Sequence, residues 1–147
     1  MYETTYGSKY NSKLSKTEIA KLIRADLKAA MANGSIPEMK VSVRKTSHNA
    51  LHIELSACPF EILCEERVLA DHDEPHRHHG LAWRSEEATR VQDAVEAIAN
   101  AYNFDGSDIQ SDYFNVNYYL SVEFSYEMME IEKRMILVRN SRIQEAA

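Results

Sequence analysis

The residues best suited to chemistry lie between positions 58 and 79. Cys58, Cys64, His72, His76, His78 and His79 are sulfur and imidazole donors of the kind zinc prefers. Two of each would complete a tetrahedron, with Cys58, Cys64, His72 and His76 as the natural set. The spacing speaks against a metal: five residues separate the cysteines and seven separate Cys64 from His72, unlike the short gaps of a zinc finger. Cysteines flanked by apolar residues also serve as small core hydrophobes. The expectation is therefore two core cysteines beside a solvated histidine loop, with no metal and no cofactor.

Asp71-His72-Asp73-Glu74 adds groups suited to acid-base work, since histidine titrates near neutrality. Nothing nominates a nucleophile or a phosphate cradle, because the chain has four glycines and no Gly-x-x-x-x-Gly-Lys or Gly-x-Ser-x-Gly string. The chain is not expected to be an enzyme. Asp105, Asp108 and Asp112 are spaced a little like calcium ligands but lack the terminal glutamate of an EF-hand loop, so a turn into the next strand is the better reading.

Binding residues are easier to nominate. Tyr113 and Tyr119, with Asn115 and Asn117, make a polar-aromatic strand face of the type found at protein interfaces. A second helix layer is the other way to cover that face. Acids around such rings can imitate the charge of a nucleic acid while the rings supply affinity. Asp105, Asp108, Asp112, Tyr113, Tyr119 and Glu123 form the candidate partner-binding set. The alternative set is basic: Lys21, Arg24, Lys28, Lys40 and Arg44 would touch phosphates in a nucleic-acid accessory protein. The net charge of −6 divides unevenly, since residues 1–50 hold nine Lys/Arg against four Asp/Glu and the remainder holds eight against nineteen. An acidic chain is repelled by nucleic acid at long range, so only the first third suits that role. A basic stripe on a helix is more often the solvated outer face.

Positioning these residues requires elements that the patterning supplies. Ser15-Lys16-Thr17-Glu18 reads as a capping box, with Leu14 and Ile19 as a hydrophobic staple. A helix follows with Ile19, Leu22, Ile23, Leu27, Ala30 and Met31 on one face, ending at Asn33-Gly34. Met39, Val41 and Val43, then Leu51, Ile53 and Leu55, alternate with polar residues and predict a hairpin with one buried face. Residues 60–70 read as a short helix after Pro59, with a third strand as the alternative. Ser85 opens another, with Ala88, Val91, Val95, Ile98 and Tyr102 inward. Residues 114–124 alternate as the longest strand, Tyr118 on the core side. The last helix runs over about 127–142, with Met128, Ile131, Met135 and Val138 at helical spacing.

At 147 residues the chain suits one domain. The reading is α+β: a small antiparallel sheet of about three strands packed with three main helices, in the order helix, strand, strand, short helix, helix, strand, helix. Residues 1–13 read as a flexible lead-in, 14–142 as the domain and 143–147 as a tail. No run nears the length of a membrane span and the start lacks a secretory layout, so no membrane contact is expected. Two cysteines are too few for a disulfide scaffold, which points to the reducing cytoplasm.

Three strings carry a family resemblance. The run from Ser15 to Lys28 (SKTEIAKLIRADLK), then Lys40-Val41-Ser42-Val43-Arg44, then Phe104-Asp105-Gly106, resembles the large polyvalent protein-associated domains of phages and conjugative elements, in particular the twenty-ninth type. The likeness covers about 14–124. It departs at Ser56-Ala57-Cys58-Pro59, where that family carries a Trp-Thr-Asp-Gly-Pro-like stretch. The resemblance implies an origin on a mobile element and a role in establishing it in a host. The expected partner is then a host or element-encoded protein of a defence system such as restriction or CRISPR. It implies no catalytic residues.

Overall fold

The computed structural model describes residues 3–73, 83–108 and 115–146. Its elements are β1 (Thr5–Tyr6), α1 (Lys16–Ala32), β2 (Lys40–Ser47), β3 (Ala50–Ser56), α2 (Glu65–Asp73), α3 (Glu86–Asn100), β4 (Phe104–Asp105), β5 (Tyr119–Phe124) and α4 (Tyr126–Ala146). The α+β class with a small sheet and surrounding helices stands.

Helix α1 begins where the capping box places it. The Glu18 amide donates to Ser15 Oγ at 3.1 Å and the Ser15 amide to the Glu18 carboxylate at 3.4 Å. Ile19, Ile23, Leu27 and Ala30 are buried, whereas Leu22, expected in the same stripe, is 37% exposed at its edge. The helix closes at Asn33, followed by Gly34 with φ of 82°, a left-handed conformation that glycine adopts without strain. Helix α3 starts in the same manner, with the Ala88 amide on Ser85 Oγ at 3.1 Å.

The main sheet has the order β2-β3-β5. Strands β2 and β3 form the expected antiparallel hairpin, with Val43 opposite Ile53. Strand β5 instead runs parallel to β3, with Ile53 beside Val122. Period-two alternation fixes which face a residue occupies but not the direction of the strand. The direction is set by residues 57–118, which carry α2 and α3 and return the chain to the same end of the sheet, as a parallel crossover requires. One sheet face buries Val43, Leu51, Ile53, Leu55, Val122 and Phe124, with α1 against β2 and α3 against β5. The opposite face leaves Arg44, Tyr119 and Glu123 exposed. Helix α4 packs on α2, and Tyr119 on the opposite sheet face stays half-exposed.

Several boundaries moved. Residues 60–63 are not helical, because Leu63 bridges Arg84 and the Cys64 amide donates to the Trp83 carbonyl at 2.5 Å, so α2 starts only at Glu65. Regular pairing of the last strand begins at Tyr119 rather than at 114, which lies outside the described residues. Helix α4 continues to Ala146, into the stretch read as a tail. The stretch read as a lead-in carries β1, which pairs antiparallel with β4. Two residues are too short to show any period. Among the described residues no helix is long and apolar enough to cross a membrane.

Candidate partner-binding cleft

The lead-in owes its place to the end of α3. The last carbonyls of a helix have no partner within it, and here the Lys9 amide donates to the C-cap carbonyl, Ala101 O, while the Gly7 amide donates to Asn103 O just beyond it, both at 2.8 Å. Such close backbone approach needs glycine: a Cβ at position 7 would stand 2.3 Å from Ala101 O and 2.5 Å from Asn100 O. Gly7→Ala is therefore expected to cost about 2 kcal/mol, an overpacking penalty against rigid backbone. Denaturant unfolding of the variant measures it, and an unchanged midpoint would mean that residues 3–10 do not dock here.

Behind Gly7, the Lys9 ammonium and the Tyr102 hydroxyl both meet Asp26 Oδ2, at 2.9 and 2.5 Å. Partial burial alone would raise the Asp26 carboxyl, but these two donors outweigh it and hold it below the ordinary carboxylate range. Tyr102, 5% exposed, is pushed up to about 12, first by desolvation and then by its bond to Asp26. A depressed folded pKa means stability that is complete above the unfolded carboxylate value of about 4 and is lost as pH falls through the folded value. The wild-type chain should thus exceed Asp26→Asn in melting temperature at pH 7 and lose that margin below about pH 4. A margin independent of pH would remove this carboxylate from the account.

The docked lead-in forms one wall of an open cleft of about 410 Å³. Tyr6, Asn103, Phe104, Asp105, Tyr118, Tyr119 and Leu120 are among the residues that line it. Tyr6, Tyr10 and Phe104 form a ring cluster with centroids 5.1 to 6.1 Å apart. Tyr6 is 61% and Tyr119 50% exposed, so two tyrosines at the cleft are open to solvent. Tyr118 turns the other way. It is fully buried, its hydroxyl donates to the Ala99 carbonyl, and desolvation pushes its pKa far upward.

The cleft unites two of the nominated residues, Asp105 and Tyr119. Asp105 is held in a turn, with its Oδ1 accepting the Ser107 amide at 2.9 Å, and this bond depresses its pKa. Glu123 lies four residues along β5, where it accepts weakly from Ser121 at 3.4 Å. Its distance along the strand, about 13 Å from Tyr119, puts it on the open sheet face outside the cleft. Asp108 follows the Asp105 turn, and Asp112 and Tyr113 lie outside the described residues. Sequence patterning missed Tyr6, Phe104 and Asn103. The signal for Asn103 was no stronger than that of a helix stop, yet its side chain organises the cleft floor. Its Oδ1 accepts the Tyr118 amide at 3.2 Å and its Nδ2 donates to the Tyr118 carbonyl at 3.0 Å.

The basic set lies on two elements that pack against each other, α1 and β2. Lys21 and Lys28 are exposed on α1, and Lys40 and Arg44 on β2. Arg24 donates to the Val43 carbonyl at 2.5 Å, which satisfies a backbone group on the edge strand β2. Of the sulfur and imidazole set, Cys58 and Cys64 are free and half-buried. Desolvation and the Glu132 carboxylate push the Cys58 thiol up to about 11, away from the thiolate that binds metals. The His72 side chain and all of His76, His78 and His79 lie outside the described residues. Among the described residues no three His, Cys, Asp or Glu side chains gather as a metal would need.

Comparison of the chain with family models, with curated proteins and with solved structures finds no match.

Proposed function

We propose that this chain is an accessory protein of a phage or other mobile element that acts by binding a protein rather than by catalysis, and that it works in the cytoplasm by blunting a host defence of the restriction or CRISPR type. The observation that carries the binding reading is the cleft, where half-exposed Tyr6 and Tyr119 flank the Asp105 turn. Aromatic anchors of this kind dominate interface energetics, and neighbouring acids steer the choice of partner. The three-string resemblance supports the origin and the type of target. The free cysteines suit a reducing compartment.

The test begins with capture of the partner from the native host and its identification by mass spectrometry. With the purified partner, Tyr119→Ala is expected to weaken binding by about 30-fold while leaving the melting temperature unchanged. Joint replacement of Lys21, Lys28 and Arg44 should leave the affinity nearly intact. Arg24 is spared because it holds the Val43 carbonyl. The reverse result, with a steep salt dependence on DNA or RNA, would transfer the chain to the nucleic-acid binders.

A further inference from the structure

Helix α4 is apolar on two opposite sides. Its inner side contributes Ile136, 4% exposed, and the partly buried Met128 and Met129. Its outer side carries Ile131, Met135 and Val138, which are 50%, 62% and 50% exposed at spacings of four and three. Such spacing aligns them in one stripe along the helix. A contiguous apolar stripe left in water marks a surface that another molecule covers.

The charges along the outer side say which molecule. Glu127 stands at the N-terminal end of the outer side and Arg142 at its C-terminal end, while Glu130 and Arg134 flank the stripe between them. Arg139 belongs to the fold, since it pairs with Glu65 at 2.7 Å. The midpoint between Glu127 and Arg142 falls between Arg134 and Met135, which is also the midpoint between Ile131 and Val138. The apolar stripe and the charges at its two ends are thus self-complementary under a two-fold axis perpendicular to the helix, with Arg134 on the flank beside the axis. Turned end for end, a second α4 sets Glu127 against Arg142, Ile131 against Val138, and Met135 near its own copy at the axis.

The surface shape agrees. Met135, Val138, Arg139 and Arg142, with Arg134 beside them, frame a shallow depression. Residues at i, i+3, i+4 and i+7 form the hole that receives a knob from a facing helix, and the antiparallel arrangement delivers Ile131 of the second copy to it. The net charge of −6 on each chain opposes association only weakly, because charges more than about 8 Å apart are screened at physiological salt. The facing Glu127–Arg142 pairs lie within that range.

We infer that the chain forms a symmetric homodimer through antiparallel packing of its α4 helices, with Ile131, Met135 and Val138 as the buried stripe and Glu127–Arg142 pairs at both ends. The contact spans about 22 Å of helix and lies on a different element from the Tyr119 cleft, so each dimer would present two clefts.

Sedimentation equilibrium of the full chain should report twice the 16.9 kDa of the monomer at micromolar concentration. Met135→Glu should weaken self-association by about a hundredfold. Glu127→Arg and Arg142→Glu should each weaken it by about tenfold, since each puts like charges at both ends. An equimolar mixture of these two variants should recover wild-type affinity, because the hetero-pair restores opposite charges at both ends. Far-UV circular dichroism at dilution separates loss of pairing from loss of fold. A wild-type chain that stays at 16.9 kDa, with or without retention by anionic-lipid vesicles, would overturn the proposal. So would a dimer indifferent to Met135→Glu, or a mixture no tighter than its components.

Discussion

Glu132→Ala is expected to destabilise the fold by about 4 kcal/mol, because the Glu132 carboxylate is the acceptor for two buried amides at once. It takes the Leu63 amide at 2.7 Å and the Ile62 amide at 3.1 Å, and both residues are essentially without solvent access. Each orphaned buried donor costs about 1–3 kcal/mol, more where the lost acceptor is charged. The bond also ties α4 to a loop some 70 positions earlier in the chain. Glu132→Gln keeps the shape and one good acceptor, so it should lose about half as much. Urea denaturation distinguishes the two, and equal stability of wild type and Glu132→Ala would show that water replaces the carboxylate.

The second large effect falls on Asn103. Its side chain acts as a strand partner for Tyr118, accepting from the amide and donating to the carbonyl, and it also accepts the Phe104 amide at 2.9 Å. Tyr118 is fully buried, so Asn103→Ala leaves its backbone groups unpaired at a cost of about 3 kcal/mol. Asn103→Asp retains the acceptor but turns a negative oxygen toward the Tyr118 carbonyl, and should fall between alanine and wild type. Both variants should also broaden the Tyr119 environment, readable in near-UV circular dichroism. A full loss in alanine with none in aspartate would mean that only the acceptor half of the pair matters.

What could be read from the residues was local and periodic. The Ser15 box, the Val43 and Ile53 alternation and the burial of Tyr118 follow from side-chain chemistry within a few positions. Nonlocal partners were out of reach. The parallel sense of β5 depends on how far α2 and α3 carry the chain, and the docking of residues 5–9 depends on unpaired carbonyls at the end of a helix some 95 positions later. Helical spacing placed Ile131, Met135 and Val138 on one face but could not say which side of α4 faces the core. That was decided by Glu132 and Ile136 reaching the 57–64 loop and the interior. The cleft was half legible: Asp105 and Tyr119 were nominated for their type, whereas Tyr6 joins them only through the β1–β4 pairing.

The parallel pairing of β3 with β5 has a consequence in time. Strand β3 is complete at Ser56, but the strand that covers its second edge starts at Tyr119. At ribosomal speeds of about 5–20 residues per second, the intervening stretch takes roughly 3–12 s to synthesise. Throughout that interval the second edge of β3 stays unpaired, an arrangement open to pairing with a neighbouring chain. Yield in the cell should therefore depend on translation speed through 57–118 and on chaperone supply more than on the stability of the finished domain.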